Sequence, residues 1–115
     1  MNESILNSIK KLLGLSPDYD AFDTDLYLHI NSVFSILQQL GVGPKEGFRL
    51  VNDDQIWNDF IASDEKIKDV ITYMYLKVKL VFDPPSNSSI LKANEELIKE
   101  LEWRLNVAAD DGTND

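Results

Sequence analysis

The chain has 115 residues with no Cys and one His, and 20 acidic against 11 basic residues give it a formal net charge of -9. This composition excludes disulfide scaffolds, zinc fingers, thiol nucleophiles and His clusters for transition metals, and it lacks the clustered bases that nucleic-acid binding requires. No apolar run approaches the roughly 20 residues of a membrane-spanning helix, and the N-terminus has no signal-peptide pattern, so we expect one cytosolic domain without a membrane partner.

Residues 3–13 predict a short amphipathic helix, because Ile and Leu recur at helical spacing on one face. Ser4 or Asn2 can cap its N-terminus, and Gly14 suits the left-handed position that follows a helix. The two bases of this segment, Lys10 and Lys11, are too few for a membrane anchor. We therefore expect the helix to dock on the core.

Residues 16–25 form a turn rich in acids, which can be compared with a calcium-binding loop. Counted from Asp18, the sixth position is Asp23 where the EF-hand needs Gly, and the twelfth is His29 where it needs Glu. The calcium pattern therefore fails. Instead, we expect Asp20 or Asp23 to cap the helix that follows.

Residues 23–40 predict a second helix with a wide apolar stripe, and Gly41 ends it. His29 lies beside that stripe, where we expect a half-exposed side chain without a catalytic role. After this helix, Gly and Pro residues exclude regular structure. They do not match a phosphate-binding loop, because no Lys-Ser or Lys-Thr pair closes them. The apolar residues that begin at Phe48 predict a short β-hairpin or extended loop around 41–53.

Residues 53–62 predict a short helix whose Trp57 belongs to the core. Ser63 can cap a longer helix that continues to Phe82 and is apolar on two sides. A helix of this kind is either central in its own fold or paired with another subunit. The second apolar side holds Tyr73, Leu76 and Leu80.

The segment after Phe82 breaks this helix, because Pro84 disfavours a helical conformation at Asp83. Ser86, Asn87 or Ser88 can then cap a last helix, over about 89–108. Trp103 lies off the apolar stripe of that helix. The pattern favours packing of Trp103 against the 41–51 loop, with an exposed interface anchor as the alternative.

Together these patterns predict a mainly α fold, a small bundle of four to five helices with a short β-hairpin or extended loop around 41–53. Residues 1–109 would form the helical domain. Residues 110–115 have no apolar side chain and predict a disordered acidic tail.

Several short segments in order resemble the head–tail connector, or adaptor, proteins of tailed bacteriophages and of prophages from Gram-positive bacteria. The resemblance covers most of residues 1–106. Its strongest parts are Leu40–Pro44, Phe82–Ser86 and Glu102–Asn106. None of these segments is a chemical motif, so the resemblance depends on their combination and order.

The resemblance implies a non-enzymatic virion component without cofactor or metal. Such proteins assemble as a homo-oligomeric ring under the portal protein, and several of them are monomers until they meet it. The ring extends the DNA channel, lets DNA pass without tight binding, and docks the next neck or tail-completion protein. The implied location is the virion neck, with the host cytoplasm as the place of assembly.

Interface residues follow from the resemblance by hypothesis, since the family has no catalytic signature. The loop from Gly41 to Arg49 would reach a neighbouring subunit or partner, and the two prolines after Phe82 would fix the angle between the long helices. The C-terminal helix and tail would become ordered on docking. The candidate interface residues are Gly41, Val42, Gly43, Pro44, Phe48, Arg49, Phe82, Asp83, Pro84, Pro85, Trp103 and Arg104.

Two other classes of function remain open from the sequence. One is a small acidic interaction or regulatory module of the host, including a nucleic-acid mimic, although the acids here are scattered among caps, turns and tail. The other is an enzyme, which has little support because the chain offers one His and no paired carboxylates with a legible geometry. Neighbouring portal, capsid and tail genes would favour the connector.

Overall fold

The computed structural model describes the backbone of residues 3–113 and the side chains of residues 3–109. The chain forms five helices, which confirms the mainly α prediction. They are α1 (Ile5–Leu12), α2 (Asp23–Gln39), α3 (Trp57–Phe60), α4 (Asp64–Phe82) and α5 (Ser88–Thr113). Within this range the region 41–53 is an extended loop rather than a hairpin, and the one β-type pairing is an isolated bridge between Ser4 and Ile56.

The central element is α4, which packs against α1, α2 and α5. Its second apolar side is covered within the chain, because Tyr73 is 0% exposed and Leu76 is 7% exposed. Leu80 also packs against the core. The two apolar sides of α4 therefore reflect a central position, and they give no evidence for pairing with another subunit.

The helix starts follow the predicted capping residues at three places. The Ser4 hydroxyl accepts from the Asn7 N–H at 3.2 Å, and the Ser63 hydroxyl accepts from the first turn of α4 at 3.3 Å. The Asn87 side chain accepts from the Ser89 N–H at 2.9 Å. Each cap satisfies backbone donors that the helix itself leaves unpaired, which explains why the helices begin where they do.

The predicted cap of α2 is wrong. Phe22 occupies the capping position, and neither Asp20 nor Asp23 caps the helix with its side chain. Asp23 instead binds the Lys10 ammonium, with 2.8 Å between Oδ1 and Nζ, and the same ammonium donates to the Pro17 carbonyl at 3.0 Å. Lys10 is only 1% exposed. A buried lysine therefore ties α1, the acidic turn and α2 together.

Lys10→Met should lower the free energy of unfolding by about 1–3 kcal/mol, because the partly buried Asp23 carboxylate and the Pro17 carbonyl lose their donor. Lys11→Met is the matched control. It changes an exposed neighbour on the same helix and should alter stability by less than about 0.5 kcal/mol. Urea denaturation measures both. Equal midpoints for the two variants would show that the buried ammonium adds nothing.

The last helix extends past its predicted end at about 108 and continues to Thr113. Leu105 and Ala109 remain buried near this end, so its apolar face packs on the core for longer than the sequence pattern indicated. The side chains of residues 110–115 and the backbone of 114–115 lie outside the described residues. The predicted acidic tail stays a prediction.

Candidate docking surface

The loop after α2 begins with a glycine turn. Gly41 has φ +84, its N–H donates to the Gln38 carbonyl, and the Val42 N–H donates to the Leu37 carbonyl. This pair of bonds is the Schellman ending of a helix, in which glycine supplies the left-handed residue. Val42 is buried, so the turn fixes the direction in which the loop leaves the bundle.

The next part of the loop packs closely on an aromatic cluster. Gly43 has φ +87, and its backbone lies so near the Phe60 ring that a Cβ at this position would collide with it. Phe48 stands 4.9 Å from Phe34 and 5.4 Å from Phe60, measured between ring centroids. Phe34 and Phe60 are themselves 4.8 Å apart. The three rings hold the loop against α2 and α3.

Two side chains of α2 fix the rest of the loop. The Asn31 amide pairs with Leu50 in both directions, accepting from its N–H at 2.7 Å and donating to its carbonyl at 3.0 Å. The Gln38 amide donates to the Lys45 carbonyl at 2.9 Å. Arg49 follows the surface of α2, where it lines a shallow cleft beside Tyr27 and Leu28. The loop is therefore an ordered part of the surface.

A cleft of about 430 Å³ opens beside this loop. The loop forms one wall, the end of α3 with the following residues forms the second, and the end of α5 forms the third. Lys66 is the charged residue of its lining. The lining residues are Gly41, Val42, Gly43, Pro44, Phe60, Ile61, Ala62, Lys66, Leu105 and Ala109. The end of α5 is anchored there, because the Asn106 amide donates to the Leu40 carbonyl at 3.2 Å.

The predicted residues around the Pro break lie at the opposite end of the bundle. Phe82 packs edge-on against Phe22 at 5.1 Å between ring centroids, and Asp83 leaves the helical conformation with φ -153 and ψ 71. The 19 residues of α4 separate this end from the cleft by about 28 Å. The structure therefore divides the candidate interface residues between two ends of the molecule.

Trp103 and Arg104, the last candidate residues, lie on α5 with different surroundings. Trp103 is 69% exposed, so the prediction that it packs against the 41–51 loop is wrong. Leu105 faces the core, and a residue two positions earlier lies on the opposite side of the helix. Trp103 therefore stands on the outer side of α5, away from the loop. Arg104 binds the Asp69 carboxylate at 3.2 Å, which links α5 to α4, and it also binds Glu100 of its own helix at 3.2 Å.

A second polar contact joins α4 and α5. The Tyr73 hydroxyl donates to the Glu102 carboxylate at 2.7 Å. Burial, together with this hydrogen bond and the Glu102 charge, raises the pKa of Tyr73 well above its ordinary value, so the phenol keeps the proton that it donates even in alkaline solution. The wall that α5 contributes to the cleft is thus held by polar contacts as well as by packing.

Sequence reasoning missed two of the three walls of the cleft. It placed Phe60 and Leu105 on apolar helix faces, but periodicity does not reveal which faces meet. No sequence signal pointed to Ala62 or Lys66, because their role depends on the docking of α3, α4 and α5. The glycines were the useful signal, since only a special backbone geometry requires so many of them in one short segment.

The described residues form surfaces on which a partner could dock. Among the described residues, no group of three His, Cys, Asp or Glu side chains could hold a metal ion. None of the helices within residues 3–113 has the length and apolarity to span a bilayer. The helical bundle has an open cleft at one end and an exposed Trp on one side, and a partner could dock at either.

Comparison with known protein families identifies the family of the chain. The family model described as phage connector protein matches residues 5–112, and the chain therefore belongs to the phage connector family, a structural, non-enzymatic kind of protein. The match confirms the predicted resemblance to phage head–tail connectors. The origin in a Gram-positive prophage stays a prediction. Comparison with curated proteins and with solved structures finds no match.

Proposed function

We propose that the protein forms a homo-oligomeric ring below the phage portal, extends the DNA channel and docks the next neck or tail-completion protein. Membership of the connector family supports this role. In this proposal the protein assembles in the host cytoplasm, works in the virion neck, is monomeric before it meets the portal, and needs neither cofactor nor catalysis.

The observation that carries the proposal is the cleft at the loop end of the bundle. Its walls combine apolar side chains with an about equal share of polar surface, and its backbone is fixed by the Gly41 turn and the Asn106 anchor, so it can receive a partner side chain without rearrangement. Lys66 places a positive charge at the wall. We assign this cleft to an apolar segment of the portal.

The other end of the bundle sets the direction of the two longest helices. Phe82 packs on Phe22, and Asp83 leaves the helical conformation just before two prolines. This arrangement supports the proposal that Phe82–Ser86 fixes the angle between α4 and α5. The angle in turn would set the distance between the portal side and the tail side of each copy.

The net charge of -9 supports passage of DNA without tight binding. An acidic wall repels phosphate, whereas a channel lined with Lys and Arg would retain it. Many of the acids in the sequence serve the fold instead, as Asp23 and Asp69 do in their ion pairs. Only the acids without such partners can contribute to a channel wall.

Ala62→Arg tests the cleft as the portal site. Ala62 is exposed in the lining, so arginine should leave the fold intact while it fills and charges the cleft. We expect the amount of protein bound to purified portals to fall by about tenfold or more. Co-sedimentation with portals and electron microscopy of the complexes measure this.

Ala21→Arg is the matched control, because Ala21 is also exposed but lies in the acidic turn away from the cleft. It should bind portals like the natural chain. Undiminished binding of Ala62→Arg would remove the cleft from the proposal. A natural chain that never binds portals would overturn the connector role itself.

A further inference from the structure

The outer side of α5 carries an uncovered stripe. Trp103 is 69% exposed and Val107 is 38% exposed, and they stand one turn apart. Glu96 and Glu100, with side chains 63% and 59% exposed, continue the stripe toward the start of the helix. The spacing of four, three and four residues keeps all four side chains on one helix face. We call these four residues the α5 stripe.

A groove of about 220 Å³ lies between α2 and α4. Val81 forms part of its wall and is 61% exposed, and Leu28, next to His29 in the chain, is 66% exposed. The lining residues are His29, Ser32, Val33, Ile36, Lys77 and Val81. We call this the α2–α4 groove. Its size fits one large side chain rather than a whole helix.

The stripe and the groove differ in charge. Two of the four residues of the stripe are acidic, whereas the lining of the groove holds a lysine, a histidine and no acid. Both acids form exposed ion pairs within α5, Glu96 with Lys99 at 3.8 Å and Glu100 with Arg104 at 3.2 Å. Exposed pairs of this kind contribute little net free energy, so either carboxylate can exchange its partner for a lysine of another copy. Lys77 forms no ion pair with any residue of the described part of the chain. An apolar anchor flanked by acids therefore matches an apolar groove flanked by a base.

One molecule cannot bring these two surfaces together. Leu101 and Leu105 of α5 are buried in the core, so Trp103 points away from it. Arg104, beside Trp103, binds Asp69 near the start of α4, whereas the groove lies near the end of α4 at Val81. The surfaces face different directions and lie at different heights, so they can meet only between two copies.

We propose that the α5 stripe of one copy seats in the α2–α4 groove of the next, with the Trp103 indole in the groove and Glu100 or Glu96 near Lys77. Because the two patches are different, the contact is heterologous and each copy can bind two neighbours. Repetition of such a contact gives a ring when the rotation between neighbouring copies closes after a whole number of copies. The inference deepens the proposed function and rests on it for the ring, but it names an interface that can be tested by itself.

The absence of Cys allows a direct test by cross-linking. Val81→Cys and Val107→Cys are combined in one chain and treated with a short bis-maleimide, both as concentrated free protein and after addition to purified portals. Val81 lies near the end of α4, beside the start of α5, whereas Val107 lies near the other end of α5. The two positions are roughly 25–30 Å apart along the bundle, so the reagent cannot join them within one copy.

The contact predicts a ladder of covalent multimers on a denaturing gel. Each single-cysteine variant should give at most dimers, because a chain with one thiol cannot be extended. Trp103→Ala added to the double variant should reduce the ladder by about tenfold or more. Ile90→Ala is the control, since Ile90 is 53% exposed on the same helix but outside the stripe, and it should leave the ladder unchanged.

The outcomes separate this interface from the connector role. A double variant that binds portals but gives no species above dimers would overturn the contact and leave the connector role standing. A ladder in the free protein without any binding of the natural chain to portals would support the contact and overturn the connector role. A ladder that Ile90→Ala weakens as strongly as Trp103→Ala does would also contradict the interface.

Discussion

Gly43→Ala should lower the free energy of unfolding by about 2–5 kcal/mol, a large effect for one added methyl group. Gly43 has φ +87, a conformation that alanine adopts at a cost of roughly 1–2 kcal/mol. The new Cβ would also collide with the Phe60 ring. That ring cannot move aside easily, because Phe34 and Phe48 pack against it.

Gly14→Ala is the matched control, and it separates the two costs. Gly14 has nearly the same conformation, with φ +83, but a Cβ there would meet nothing within 4 Å. It should therefore cost only the roughly 1–2 kcal/mol of the backbone. Denaturant midpoints and slopes measure both variants. Equal losses at the two positions would show that Phe60 is not a fixed wall and that the loop can yield.

Trp57→Ala should cost about 3–5 kcal/mol, the range for removal of a large aromatic side chain from a core. Trp57 is 0% exposed, packs near Phe34, and donates from Nε1 to the Ser8 hydroxyl at 2.8 Å. Because Ser8 belongs to α1, the substitution should also loosen the N-terminal helix. Near-UV circular dichroism and thermal denaturation would report the loss of fixed packing.

Trp103→Ala is the control for this second prediction. The same substitution at a side chain that is 69% exposed should change stability by less than about 0.5 kcal/mol. Intrinsic fluorescence would show the difference directly, since the remaining indole is buried in one variant and exposed in the other. A stability loss for Trp103→Ala close to that for Trp57→Ala would contradict the burial of one and the exposure of the other.

Much of the helical fold could be predicted because its signals are local. The caps at Ser4, Ser63 and Asn87 and the glycines at the helix ends act on the residues beside them. The period of apolar residues located the long helices for the same reason. The observed helices differ from the predicted ones mainly at their ends. The largest difference is in α5, which continues to Thr113 because its apolar face packs on the core for longer than the pattern indicated.

The remaining features depend on contacts between distant segments. Asp23 was expected to cap α2, but it pairs with Lys10, which is buried beside it and lies 13 residues earlier in the chain. A buried charge pair of this kind produces no pattern in the sequence that could be recognised. The same distinction applies to the cleft. Its loop wall could be predicted from the glycines that begin at Gly41, whereas its other walls arise from packing between distant helices. For Trp103, the position off the apolar stripe left packing on the loop and exposure both open, and the favoured packing was wrong.

The position of α1 affects how the chain acquires its fold during synthesis. The Ile5 N–H donates to the Gln55 carbonyl at 3.0 Å, and Ser8 accepts from Trp57, a residue 49 positions later. A nascent chain therefore exposes the apolar face of α1 until the ribosome has released residues beyond Trp57. Such non-local closure slows folding relative to a bundle of sequential hairpins. During that interval the buried side of α1 is a target for chaperones or for mispairing with other nascent copies.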